Sequence, residues 1–188
     1  MKKILLLAAI AVLGFSNVNA QEDTSASSDI TFGLTAGYSL NFVEATDISE
    51  SGSGFNVGAF ANFGISDTFS VQPELVYSNT SVDIAGTDFT YNLFNINAMA
   101  VYHATEELSI LAGPQFGFAS GELPDELDRL LGDDFTSLNI QLAAGIAYDF
   151  TENIFAQARY GFMLNDHSKF DGIDAQVNTL SVGVGYKF

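Results

Sequence analysis

Leu180-Ser181-Val182-Gly183-Val184-Gly185-Tyr186-Lys187-Phe188 closes the chain with a strict alternation. Every even position is apolar or aromatic, and the odd positions are Ser, Gly, Gly and Lys. Successive side chains of a β-strand point to opposite faces, so one face suits lipid or a dry core and the other a crowded polar interior. Seven earlier segments read the same way: 30–42, 55–65, 69–79, 89–103, 108–119, 138–150 and 154–164, with the last strand spanning 178–188. Each supplies roughly the 9–11 residues that a tilted membrane strand needs. The pattern predicts an all-β fold: an eight-stranded, antiparallel, up-and-down transmembrane β-barrel.

Strand four is the irregular member. Phe89, Tyr91 and Leu93 share one parity, whereas Phe94, Ile96, Ala98, Ala100 and Tyr102 share the other. A β-bulge near Leu93 reconciles them, or the upper part of the strand rises beyond the membrane.

Alternation alone leaves open which face is outside, because a secreted, soluble, lipocalin-like ligand barrel carries its apolar residues inside. The polar face decides. It holds Gly33, Gly37, Gly58, Gly113, Gly117, Gly145, Gly183 and Gly185 with Asn, Gln, Ser and Thr, small residues and amides that fit a crowded lumen better than the Lys-, Glu- and Arg-bearing exterior usual for a water-facing sheet. The apolar face places Phe32, Phe63, Phe69, Tyr102, Tyr148, Phe150, Tyr186 and Phe188 near one rim. Tyr38, Phe42, Phe55, Tyr77, Phe116, Phe118 and Phe162 lie near the other, with aliphatic residues between. Those are two interfacial girdles around a lipid belt.

The amino-terminal segment agrees with export. Met1-Lys2-Lys3 is basic, residues 4–15 are apolar but too few to span a bilayer as a helix, and Val18-Asn19-Ala20 offers small residues for cleavage. Residues 1–20 read as a cleaved signal peptide, 21–29 as a flexible periplasmic leader, and 30–188 as the barrel. No cysteine is present, so neither a lipid anchor on Cys nor a disulfide framework is available. Removing Lys2 and Lys3 with the signal leaves four basic residues against 23 acidic ones, a net charge of −19. Such a chain repels nucleic acid and lacks a polybasic membrane patch.

The connections alternate in length. Ser66-Asp67-Thr68, residues 104–107 and Thr151-Glu152-Asn153 are short, whereas 43–54, 80–88, 120–137 and 165–177 are long and acidic. Outer-membrane barrels keep short turns in the periplasm and long loops outside, which places both termini in the periplasm here.

Four motifs in order carry a resemblance: Val71-Gln72-Pro73-Glu74-Leu75-Val76-Tyr77-Ser78, Leu111-Ala112-Gly113-Pro114-Gln115-Phe116-Gly117, Ala158-Arg159-Tyr160, and the Gly-Tyr-Lys-Phe end. Together they resemble the small bacterial outer-membrane β-barrel domain family. Its members often bear a porin-family label, and its architecture is similar to OmpA and OmpX barrels. The resemblance covers essentially the whole chain after the signal. One departure is Asn97, where such sequences often carry Pro. The resemblance implies location in the bacterial outer membrane, and recognition of the Phe188-terminated strand by the barrel-assembly machinery.

Parity assigns Asn56, Phe60, Asn62, Gln72, Glu74, Gln115, Asn139, Gln141, Asp149, Gln157, Arg159 and Lys187 to the lumen. Glu74 and Arg159 fall near mid-height on strands three and seven, and charge in so narrow a bore must be paired. The leading expectation is a lumen plugged by polar side chains, with Gln72, Gln115 and Gln157 around an ion pair. The alternative is a porin-like ion or small-solute path along the same groups.

Enzymatic readings find little support. His103 ends strand four as a solvated rim residue; His167 neighbours Asp166, Ser168 and Asp171, but adjacency is not triad geometry. No catalytic residue, cofactor or specific metal site is expected. In the third long connection Pro124 opens a short helix that Gly132 closes, with Leu123, Leu127 and Leu130 forming an apolar stripe beside Asp133 and Asp134. Fourteen of the 23 acids lie in the four long connections. The expected role is structural or an adhesion-like binding of a basic or cation-bridged extracellular ligand by a monomeric barrel seated in lipid.

Overall fold

The computed structural model describes residues 30–45, 48–84, 87–120, 138–164 and 176–188. Eight strands appear in chain order: β1 (Ile30–Ala45), β2 (Ile48–Ser66), β3 (Phe69–Ile84), β4 (Thr87–His103), β5 (Leu108–Ser120), β6 (Leu138–Asp149), β7 (Ile154–Met163) and β8 (Gln176–Lys187). Each pairs antiparallel with its sequence neighbour, and β1 pairs with β8 from Gly33↔Lys187 to Glu44↔Gln176, closing the barrel. Phe188 N–H donates to the Phe32 carbonyl at 2.9 Å and fastens the seam at the chain end. Closure leaves the wall without an open edge, the condition for crossing hydrocarbon.

The faces sort as a lipid-facing barrel requires. Phe32, Leu34, Ile146 and Val184 each leave more than half their surface exposed, whereas Ser39, Asn41, Gln72, Glu74, Asn97 and Arg159 are buried inside. Apolar outside and polar inside is the reverse of a soluble ligand barrel, so the lipocalin-like alternative is overturned. Aromatic contacts knit the outer surface: Tyr77 packs between Phe55 and Phe94, with centroids 6.2 and 5.2 Å away.

Two short turns share a design that the sequence repeats. In Thr105-Glu106-Glu107-Leu108 the Thr105 hydroxyl accepts from the backbone N–H groups of Glu107 and Leu108 at 3.2 and 3.0 Å. In Thr151-Glu152-Asn153-Ile154 the Thr151 hydroxyl accepts from Asn153 and Ile154 at 3.3 and 3.0 Å. A threonine opening the turn replaces ladder partners that the reversing backbone loses. These turns, with 67–68, define the turn end of the barrel; the opposite rim is the loop end.

Two expectations are corrected. Residues 43–54 and 80–88 are not long loops: β1 and β2 pair up to Ala45↔Ile48, and β3 and β4 up to Ile84↔Thr87. An antiparallel ladder continues beyond the lipid belt without needing a buried face, so the hairpins outlast the apolar alternation that reveals them. Of the two readings of strand four, the bulge near Leu93 is absent. β4 keeps one register with β3 from Phe69↔Tyr102 to Ile84↔Thr87, and the irregularity lies instead between Gly64 and Ser66 on β2. Leu93 lines the lumen, in phase with Met99 and Val101, which are buried there with Leu111 and Ala143. The lumen is thus partly apolar toward the turn end.

Proline leaves a mark on this wall. The β2–β3 pairing skips Ala61 and Asn62 opposite Pro73 and Gln72, and β4–β5 skips Ala98 and Met99 opposite Pro114 and Gly113. Pro73 and Pro114 have no N–H to give, so the facing carbonyls of Ala61 and Ala98 lose their ladder donor. Pro73 itself pairs with Ala98 across β3–β4, so both gaps lie in one row of the wall. At Gly113 a Cβ would run into the Ala98 carbonyl oxygen and stand 2.9 Å from Met99 Cα, both backbone atoms. At Gly117 it would meet the Asn95 side-chain amide at 2.6 Å, which can turn aside. Gly113→Ala is therefore expected to destabilise the folded barrel by about 1–3 kcal/mol, and Gly117→Ala by clearly less. Denaturant unfolding of the two variants in detergent checks the order.

Candidate functional site: the barrel lumen

β3 and β7 stand four places apart in the ring of eight, so their inward residues face each other across the bore. Glu74 projects from β3 and Arg159 from β7, both buried. Arg159 Nη1 donates to Glu74 Oε2 at 2.6 Å and Nη2 to Oε1 at 2.7 Å, a bidentate fork on the carboxylate. Gln72 Nε2 donates to Oε1 at 2.8 Å, and Asn97 Nδ2 to Oε2 at 2.9 Å. Each carboxylate oxygen thus accepts two hydrogen bonds, and Arg159 Nη2 also reaches Gln157 Oε1 at 2.7 Å. Taking the two charges out of water costs several kcal/mol per ion, and only this density of partners offsets it. Asn97 Oδ1 and Arg159 Nε are buried without a protein partner among the described residues.

The layer around this pair separates two cavities. On the loop-end side a space of about 80 Å³ is walled by amides and hydroxyls, including Asn56, Asn95, Gln115, Asn139 and Gln141. Cross-strand bonds brace that wall: Asn56 Nδ2 to Ser39 Oγ at 3.1 Å, Asn95 Nδ2 to Ser78 Oγ at 3.3 Å, and Thr179 Oγ1 to Asn41 Oδ1 at 2.8 Å. Toward the turn end lies a larger cavity of about 250 Å³. Lys187 Nζ bonds both carboxylate oxygens of Asp149 there, each at 2.7 Å, and sits 5.4 Å from the Phe155 ring centroid.

A continuous chain of side chains links this cavity to the ion pair. His103 Nδ1 lies 3.0 Å from Ser109 Oγ and Nε2 lies 3.1 Å from Ser70 Oγ. Hydroxyls donate or accept, so either imidazole tautomer is satisfied. Asn62 Nδ2 donates to Ser70 Oγ at 2.9 Å and to Gln72 Oε1 at 3.0 Å, and Gln72 continues to Glu74.

The structure brings Glu74, Arg159, Gln72 and Gln157 together, while Gln115 lines the loop-end cavity without touching the pair. Leu123, Leu127, Leu130, Asp133, Asp134 and the surroundings of His167 lie outside the described residues. The solvated-rim reading of His103 is corrected: its ring is half-buried and held on both nitrogens. Its shared parity with Asn97, Met99 and Val101 was the available signal. Asn97 also gains a reason, since Pro there would remove a donor to Glu74. Among the described residues no group of His, Cys, Asp and Glu could hold a metal ion.

The ring of eight strands thus joins an apolar exterior to a largely polar bore. The chain belongs to the outer membrane protein beta-barrel domain family. The match covers residues 7–188. No curated protein matches the chain significantly. Among solved structures, Neisserial surface protein A is similar at 22% identity, covering 85% of this chain and 99% of that one, with a TM-score of 0.56. The attachment invasion locus protein Ail of Yersinia pestis, solved in complex with the heparin analogue sucrose octasulfate, is similar at 19% identity over 85% and 99%, with a TM-score of 0.55. The same protein in a phospholipid bilayer nanodisc gives 15% identity over 85% and 100%, with a TM-score of 0.53. At these identities the likeness is one of fold.

Arg159→Met leaves a buried carboxylate without its cation and is expected to cost ~3–5 kcal/mol of barrel stability. Adding Glu74→Gln to that variant should restore most of the loss. Equilibrium unfolding of the single and double variants measures the coupling, and an unrestored double variant would show that the pair is not coupled.

Proposed function

We propose that this protein is a closed outer-membrane barrel that acts through its extracellular loops and as a structural element of the envelope, not as a conduit. The observation that carries this reading is the Glu74–Arg159 fork, which crosses the bore and holds apart two cavities of about 80 and 250 Å³. An ion crossing the bore would have to open two charge-assisted bonds and strip Gln72, Asn97 and Gln157 from their partners.

In this reading residues 1–20 direct export and are removed, 21–29 form a periplasmic leader, and both termini with the short turns face the periplasm. The strand ending at Phe188 is the segment that the barrel-assembly machinery takes up. The long connections then stand outside, where residues 121–137 carry six acids against Arg129 alone. The Ail structure holds a polyanion, sucrose octasulfate. The charge of this chain favours the opposite class, a basic or cation-bridged ligand, with Leu123, Leu127 and Leu130 as apolar contacts beside Asp133 and Asp134. Attraction of that kind fades as salt shortens the Debye length below its ~8–10 Å near physiological strength.

Planar-bilayer recording of the purified barrel is expected to show no large steady conductance; a large one would revive the channel reading. Deleting residues 122–134 should abolish salt-sensitive binding to a polylysine-coated surface while the barrel still shows its heat-dependent gel mobility. Binding that survives the deletion and ignores salt would leave only the structural role.

A further inference from the structure

The turn-end cavity has a mixed lining. Phe60 and Phe155 meet edge to face at 5.8 Å, and with Val101 and Leu111 they supply its apolar surface. Both rings are set back against strands that carry glycine: a Cβ on Gly33 would strike the Phe60 ring, and one on Gly185 the Phe155 ring. The rings therefore occupy space that the neighbouring strands have ceded, and a cavity of about 250 Å³ lies beside them.

Polar residues share that lining. Ser109 uses its hydroxyl toward His103, while Thr31 and Gln157 also line the cavity, and neither the Thr31 hydroxyl nor Gln157 Nε2 makes a side-chain hydrogen bond among the described residues. Gln157 gives its carbonyl oxygen to Arg159, so its amide nitrogen is left as a donor. The two full charges that line the space, Lys187 and Asp149, neutralise each other through paired 2.7 Å contacts. A concave, mostly apolar site with a few converging polar groups is the usual form of a small-molecule site.

We propose that this cavity binds a small uncharged amphipathic molecule: a flat apolar body against Phe60 and Phe155, with one hydroxyl or carbonyl group toward Gln157 and Thr31. Size sets the class. A cavity of about 150 Å³ admits benzene, so this one accommodates a one- or two-ring compound and excludes a lipid acyl chain at full length. Charge sets it further, because an anion or cation would enter only by breaking the Lys187–Asp149 pair.

2-Naphthol tests the proposal, since its emission lies clear of tyrosine and the chain contains no tryptophan. The detergent-solubilised full chain should show saturable, one-to-one binding and a saturable shift of the His103 imidazole resonances. Phenol should displace the probe; benzoate and benzylammonium at equal concentration should not. Ala147→Phe, which fills the cavity from β6, should abolish saturable binding while heat-dependent mobility persists, and Val101→Phe serves where Ala147→Phe fails to fold. An emission change that stays linear in probe, with His103 unmoved, reflects micelle partition alone and overturns the site. Saturable binding retained in a folded cavity-filled variant, or displacement by benzoate ahead of phenol, overturns it equally.

Discussion

Closure of the β1–β8 seam is the constraint from which the rest of this structure follows. In hydrocarbon an unpaired backbone group costs several kcal/mol, so eight strands survive there only as a ring with no edge. A ring of eight is also narrow, with an interior just wide enough for side chains to fill. That width explains why the inner face alternates glycine with amides and hydroxyls. Gly37 and Gly183, paired across the seam, leave no room for a Cβ: one on either would stand 2.5 or 2.6 Å from the carbonyl oxygen of Val182 or Ala36. Where the bore needs bulk it takes a ring from one strand and removes the side chain from another, as at Phe60 over Gly33 and Phe155 over Gly185.

The same narrowness decides how charge is tolerated. A lone Glu74 inside a barrel walled by lipid-facing strands would lack a counter-charge, whereas a planar guanidinium from the opposite wall satisfies two lone pairs at once. Gln72 and Asn97 then complete the carboxylate, and Gln157 holds the guanidinium. Well-packed apolar residues often match or exceed the stability of a buried ion pair. What the pair adds is geometry. Its fork demands that β3 and β7 sit at one relative height, and a register slip of one residue would turn Glu74 to lipid. The pair thus opposes mis-registered closure in a sheet whose glycine-rich strands specify register weakly.

Much of the fold was legible because a membrane strand advertises both faces at once. Period-two alternation located all eight strands, and boundaries in the lipid belt such as Ile30, Phe69, Leu108 and Ile154 match the observed starts. The hairpin tips were not legible, since Ser51, Gly52 and Ser53 carry β2 onward by ladder pairing with no apolar alternation in their sequence. Strand four misled for a related reason: Leu93, Met99 and Val101 are apolar yet face inward, so apolarity there ceased to report the lipid side. Parity sent Glu74 and Arg159 to the lumen, but their contact depends on barrel shear, which no single strand encodes. His103 and Asn97 were harder still. Neutral polar residues carry no sign to be matched, and Ser70, Ser109 and Glu74 become their partners only once the ring has closed.

The interior and the loops divide the chain's charge in a way that bears on what this barrel does. Of the four basic residues that follow Lys2 and Lys3, Arg159 and Lys187 face the lumen and are each committed to a carboxylate there. Only Arg129 and Lys169 remain for residues 43–54, 80–88, 120–137 and 165–177, which together hold fourteen acids. Neither lumen cation is available to answer those acids, because releasing Arg159 strands Glu74 and releasing Lys187 strands Asp149. Holding Arg159 and Lys187 in ion pairs inside the bore thus leaves the acids at the loop end without those two cations, and the local field there is negative.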